Sequence, residues 1–205
     1  MRLSINSLFV LLLAIAAVFT LPSATAAQSA PTHQDAPRAE LALGYSYVHS
    51  NVPPGGCGCF SLNGGNASFA WPVKPGKFAL AGDIAIVHAG AVSSTSESLT
   101  LSTFTAGGRY LPRLGRSSLQ PFGQVLVGLA HSSGTLVQGS SPGSGNAGAA
   151  FATNIGGGLD LRASPRFSFR LMEAYYLLTT VDNGSNNHQN NLRIGAGVVI
   201  RLGNM

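Results

Sequence analysis

The sequence predicts an all-β fold: an eight-stranded antiparallel up-and-down transmembrane β-barrel that follows a cleaved signal peptide. Three observations carry that expectation. The first is the stretch Asn190 to Leu202, NNLRIGAGVVIRL, which alternates with period two. Leu192, Ile194, Ala196, Val198, Ile200 and Leu202 share one parity; Arg193, Gly195, Gly197, Val199 and Arg201 share the other. Apolar residues at i, i+2, i+4 and i+6 would encircle a helix, so the pattern belongs to a strand. The second is composition. Charged residues make up 9% of the chain, against about a quarter in a soluble domain. A surface in water needs charge, whereas a surface in lipid does not. The third is length: a dozen residues rise roughly 40 Å, and at about 45° tilt they cover about 28 Å, close to the hydrocarbon core of a bilayer.

The N-terminus indicates the compartment. Met1 and Arg2 form a short positive segment, Leu8 to Thr20 an apolar one, and Ala24-Thr25-Ala26 a small-x-small cleavage signal. This is the layout of a secretory signal peptide over residues 1–26. Residues 27–38 form a polar, proline-containing lead, and the barrel domain is expected over 39–203. No later stretch is long and apolar enough for a transmembrane helix. The net charge of +5 comes from scattered basic residues, without a basic helix or a row of aromatics, so nucleic acid is not an expected partner.

The strands follow in order. The first, Ala39 to Val48, sets Leu41, Leu43, Tyr45 and Tyr47 against Glu40, Ala42, Gly44 and Ser46. After the Pro/Gly stretch Asn51 to Ser61, the second, Leu62 to Pro72, sets Ala67, Phe69 and Trp71 against Asn66, Ser68 and Ala70. Lys74-Pro75-Gly76-Lys77 is a tight turn. The third, Phe78 to His88, puts Phe78, Leu80, Ile84 and Ile86 opposite Asp83. In the fourth, Leu99 to Tyr110, Leu99 and Leu101 share one parity while Phe104 and Tyr110 take the other, and a bulge near Thr103 is expected to reconcile them.

The fifth strand, Pro121 to His131, sets Val125, Val127 and Leu129 against Gln124, Gly128 and Ala130. The sixth, Ala150 to Arg162, sets Phe151, Ile155, Leu159 and Leu161 against Asn154, Gly156, Gly158, Asp160 and Arg162. The seventh, Phe167 to Thr179, sets Phe167, Phe169, Leu171, Tyr175 and Leu177 against Arg170 and Tyr176. Glu173 falls on the apolar parity there, so either a bulge re-aims it or it sits near an interface. Short turns join strands two to three, four to five and six to seven. Longer polar loops, such as Gly134 to Gly148, join the others. That alternation is the one found in outer-membrane barrels, and with an even strand number it places both termini on the periplasmic side.

A lipocalin-like soluble barrel would place the apolar parity inside instead. The polar parity is rich in Gly and Ser but poor in Lys and Glu, which suits a crowded lumen. Tyr45, Tyr47, Trp71, Phe78, Phe167, Phe169 and Tyr175 cluster towards strand ends, as interfacial girdles do. Arginine on a lipid face at midplane costs about 2–4 kcal/mol. Glu40, Asp83, Asp160, Arg162, Arg170, Arg193 and Arg201 are therefore expected to point inward and form a lumen charge network. Inward glycines such as Gly156, Gly158, Gly195 and Gly197 leave room for large side chains, and a barrel of eight strands is filled rather than open.

The eight-stranded plan, the hairpin FATNIGGGLDLR…FSFRLMEAYYLLT (Phe151 to Thr179) and the closing QNNLRIGAGVVIRLG (Gln189 to Gly203) together resemble OmpA/OmpX-like outer-membrane β-barrel domain proteins. The resemblance spans about Ala39 to Gly203. It implies an outer-membrane location in a Gram-negative-type envelope, insertion by the barrel assembly machinery, and contact with outer-membrane lipids and lipopolysaccharide. It implies no particular activity. Members often end on an aromatic residue that the assembly machinery reads, whereas this chain ends Leu202-Gly203-Asn204-Met205.

Chemistry-bearing motifs are few. Cys57-Gly58-Cys59 lies in the first long loop. It admits a local disulfide, which an oxidising exterior favours, or free or intermolecular thiols, or a metal that would need further ligands. His88, His131 and His188 fall near the loop ends of strands three, five and eight, where a barrel hydrolase would act on lipid, and Asp182 is the one acid beside them in the last loop. GGNA and IGGGLD lack the strand-to-helix context and the Gly-Lys-Ser/Thr ending of a phosphate loop. The sequence thus favours a monomeric barrel with a structural or surface-interaction role, no open pore, no enzymatic activity and no cofactor. A lipid-modifying barrel hydrolase and a lipocalin-like periplasmic carrier are the alternatives.

Overall fold

The structure, a computed structural model, describes residues 39–50, 60–74, 77–92, 98–112, 117–134, 149–181 and 188–202. All belong to the unit Asp35–Met205. The signal segment, the lead and Cys57 and Cys59 lie outside the described residues. Eight strands run β1 Ala39–Ser50, β2 Phe60–Lys74, β3 Phe78–Ala89, β4 Leu99–Tyr110, β5 Leu119–Ser133, β6 Ala150–Arg162, β7 Phe167–Thr179 and β8 Gln189–Leu202. Each pairs antiparallel with the next, and β8 returns to β1, closing the barrel. The closing seam runs without interruption from Ala39 opposite Leu202 to Ser50 opposite Asn191. Every strand therefore has two neighbours, which a bilayer demands, since an open edge would leave backbone groups unsatisfied in hydrocarbon.

The alternation read from the sequence sets which residues face out. Leu80, Trp71, Val125, Leu129, Phe169 and Leu192 all present their side chains to the exterior, Trp71 with 57% of its surface exposed. An exterior of this kind faces lipid, not water. Aromatics mark both ends of the apolar band. At the turn end, Phe69 packs against Trp71 and Phe78 against Tyr110, with ring centroids 6.3 and 5.2 Å apart. At the loop end the hydroxyls of Tyr45 and Tyr176 donate to Asn63 and Asn190, and the Tyr47 hydroxyl meets Ser61.

Inside, the loop end is apolar: Val48, Leu62, Val87, Leu101 and Leu177 pack around Ala130 and Ala152. Charge fills much of the interior from mid-barrel to the turn end, beside a second, smaller apolar cluster of Ala70, Ala79, Ala81 and Leu126. This layering corrects the reading of β4. Its registers with β3 and β5 are continuous, so there is no bulge near Thr103. Leu101 points inward because the interior at that height is itself apolar, while Phe104 and Tyr110 point outward.

The bulge occurs in β7. Opposite β8, the residues between Arg170 and Glu173 face Ala196 alone, and the register with β6 shifts at Leu159/Asp160. Leu171 and Met172 consequently both face outward. Parity beyond them is reversed from the expected one. Tyr175 and Leu177, expected on the lipid face, are buried inside; Tyr176, expected inside, is exposed. Of the two alternatives for Glu173, the bulge is the one realised, and it delivers the carboxylate to two arginines instead of to lipid.

Candidate functional site: the charge cluster inside the barrel

Four arginines and four carboxylates meet within the barrel. Arg193 of β8 grips Asp83 of β3 with both terminal nitrogens, at 2.5 and 2.9 Å. Arg170 of β7 grips Asp160 of β6 through Nε and Nη2, at 2.9 and 3.2 Å. These forks are the geometry in which guanidinium and carboxylate match best. Glu173 joins the two pairs: Arg170 Nη1 donates to its Oε2 at 3.0 Å and Arg193 Nη2 to its Oε1 at 3.5 Å. Asn66 Nδ2 and the Tyr175 hydroxyl also donate to Glu173, at 2.9 and 3.2 Å.

Nearer the turn end, Glu40 is shared by Arg201 at 3.2 Å and Arg109 at 3.7 Å. Glutamine carbonyls complete the shell, with Arg201 donating to Gln120 and Arg109 to Gln124. Phe122 joins the two halves: the guanidinium carbons of Arg109 and Arg170 lie 4.6 and 4.4 Å from its ring centre. Arg193 stacks in the same way on Tyr175, at 5.1 Å.

Glycines provide the space. A Cβ at Gly195 would stand 2.8 Å from Glu173 Oε1, and one at Gly158 would stand 2.8 Å from the Phe122 ring. Small residues facing these large ones let eight charged side chains fit a narrow interior.

Of the residues expected in the network, Glu40, Asp83, Asp160, Arg170, Arg193 and Arg201 are brought together. Arg162 is not. It is exposed at the end of β6 and takes part in none of these ion pairs, because at the rim a guanidinium reaches solvent without a partner. Arg109, Glu173 and Tyr175 were missed. The first was hidden by the uneven parity of β4, where anchoring on the outward Phe104 and Tyr110 would have turned Arg109 inward. The other two were hidden by the bulge.

The arrangement ties strands together, with each carboxylate engaged by at least one arginine, most of them from a different strand. His88, His131 and His188 are exposed on the outside of the barrel, and His88 Nδ1 lies 2.9 Å from Thr100 Oγ1. Asp182 lies outside the described residues. Among the described residues, no group of three or more His, Cys, Asp or Glu side chains is placed to hold a metal ion.

The fold and its inverted polarity define a small eight-stranded membrane barrel. Solved structures share it. Neisserial surface protein A superposes with a TM-score of 0.57 at 14% identity, covering 79% of this chain and 96% of its own. Ail, the attachment invasion locus protein of Yersinia pestis, gives 0.51 at 18% identity, with 81% and 99% covered. OprG of Pseudomonas aeruginosa gives 0.52 at 12% identity, with 82% and 97% covered. The chain thus has the fold of the small outer-membrane β-barrels. No protein-family model and no curated protein sequence matches it.

Proposed function

We propose that the protein is an integral outer-membrane barrel without an open pore, acting as an envelope component whose loops make contacts at the cell surface. The observation that carries this is the inversion of polarity: large apolar side chains outside, eight charged groups inside. The apolar layer at the loop end and the Phe122 ring between Arg109 and Arg170 support a filled lumen. In this reading the chain is monomeric, is inserted by the barrel assembly machinery, and sits among outer-membrane lipids and lipopolysaccharide with both termini in the periplasm. It binds no nucleic acid or cofactor and catalyses no reaction. One structural neighbour carries attachment and invasion in its name, which agrees with a surface-contact role.

Membrane fractionation with heat-modifiable gel mobility tests the location, and a mature protein that stays monodisperse in buffer without detergent would overturn it. Planar-bilayer recordings are expected to show no stepwise conductance. Lipid A from deletion and overexpression strains is expected to keep its acyl number; a changed number would favour a hydrolase.

A further inference from the structure

Every described histidine lies in one region of the barrel. His49 of β1, His88 of β3 and His131 of β5 take outward positions at the loop ends of their strands, and His188 is exposed just ahead of β8. Register sets three of them beside short polar side chains: His49 opposite Ser61 on one side and Leu192 on the other, His88 opposite Asn63 and Thr100, His131 opposite Ser102. Ser61 and Asn63 are tied to the hydroxyls of Tyr47 and Tyr45 at 2.6 and 2.5 Å. Tyrosines on a barrel exterior sit at headgroup level. Imidazoles at or beyond that height face headgroups instead of acyl chains.

The other exterior cations are elsewhere. Lys77, Arg162 and Arg166 are exposed at the turn end. Among the described residues, no outward position of the loop half holds Lys, Arg, Asp or Glu. Apart from the histidines themselves, the titratable groups in this region are Tyr45 and Tyr47 from β1 and Tyr176 from β7, while the outward loop-half positions of the other strands hold side chains that do not titrate. Glu97 and Asp182, in the adjoining connections, lie outside the described residues.

We propose that His49, His88, His131 and His188 form a lipid-contact collar that holds phosphate groups of the anionic lipid around the loop end. The collar rests on the outer-membrane reading above. An imidazole donates one hydrogen bond when neutral, and two with a positive charge when protonated, a change that falls between about pH 5 and 8. An imidazolium grips phosphate more tightly than a neutral imidazole does, whereas a lysine or arginine keeps its charge over the same range.

The test is the urea midpoint of the full-length protein folded into phosphatidylcholine vesicles, with and without phosphatidylglycerol, at about pH 5.5 and about pH 8. Phosphatidylglycerol is expected to raise the midpoint more at the lower pH. The H49Q/H88Q/H131Q/H188Q variant is expected to lose that pH-dependent part and to keep the wild-type midpoint in phosphatidylcholine. Lys77→Gln with Arg166→Gln is expected to lower the effect of phosphatidylglycerol equally at both pH values. A quadruple variant with an unchanged pH-dependent part overturns the collar, as does a wild type without one, or inorganic phosphate producing the same rise in phosphatidylcholine alone. Should the quadruple variant not fold, His88→Gln and His131→Gln are each expected to lose a share, and no loss in either overturns the proposal. A chain that never enters vesicles overturns the outer-membrane reading, and the collar with it.

Discussion

Glu173 has more partners than any other interior carboxylate, with two arginines, a tyrosine and an asparagine bound to its two oxygens. Arg193→Leu would leave Asp83 and Glu173 short of a partner where neither reaches water, and it is expected to cost about 3–5 kcal/mol. Glu173→Gln is expected to cost less, because Arg170 and Arg193 each keep a two-pronged carboxylate. Unfolding in lipid vesicles ranks the two, and the reverse order would mean that Glu173 outweighs the forks. Adjacent residues on β8 give a second contrast. Gly195→Ala drives a methyl against Glu173 and the Tyr45 carbonyl, and overpacking of that kind costs about 1–3 kcal/mol. Ala196→Arg instead puts charge into lipid at about 2–4 kcal/mol, while Ala196→Leu adds apolar surface to an apolar surrounding and is expected to be near neutral. The same urea series measures all three, and a soluble barrel with its apolar face inside would make Ala196→Leu the damaging change.

Among the elements, β7 departs most from simple alternation. Because Leu171 and Met172 both face outward, deleting Leu171 restores regular alternation and leaves Glu173, Tyr175 and Leu177 pointing in. Deleting Ala174 would instead send Tyr175 and Leu177 out to lipid and Tyr176 in. The first deletion is expected to yield a heat-modifiable barrel and the second is not, so gel mobility separates them; two equal outcomes would mean that the inward parity of β7 is unimportant. This element also shows what the sequence could convey. Alternation in β8 is unbroken because one face meets only lipid and the other only the lumen, and both its parities were legible. In β7 an extra residue costs little, since both neighbouring strands adapt their register, and composition alone does not mark where it falls. Glu173 was the one visible sign, as an acid on an apolar parity. In β4 the difficulty was chemical, not geometric. The interior changes from charged to apolar along the barrel axis, so an inward Leu101 resembles an outward one. The six charges grouped from sequence lie on strands whose parity was clear or, for Arg170, ahead of the bulge in β7.

For the molecule as a whole, short turns and long loops at opposite ends predict opposite accessibility. An epitope inserted between Gly134 and Gly148 is expected to be reached by antibody on intact cells, and one at Lys74 to Lys77 only after the outer membrane is permeabilised. Labelling in the reverse pattern would mean that the barrel is inserted the other way up. With the long loops outermost, the turn-end cations Lys77, Arg162 and Arg166 would lie against the inner leaflet, and the apolar layer around Leu177 and Val48 would separate the charge cluster from the cell surface.

The interior pairings also bear on how the chain comes to be complete. Arg193 is separated from Asp83 by 110 residues, and Glu173 from Asn66 by 107. The last strand supplies Arg193 and Arg201, half of the interior's positive charge. Until β8 arrives, an inserted β-sheet would hold more carboxylates than cations, together with two open edges. Either defect alone disfavours a partial barrel in lipid, and both disappear in a single step when β8 docks on β1. Closure is thereby made all-or-none by electrostatics as well as by hydrogen bonding, so that a truncated chain has no half-built state in which to rest.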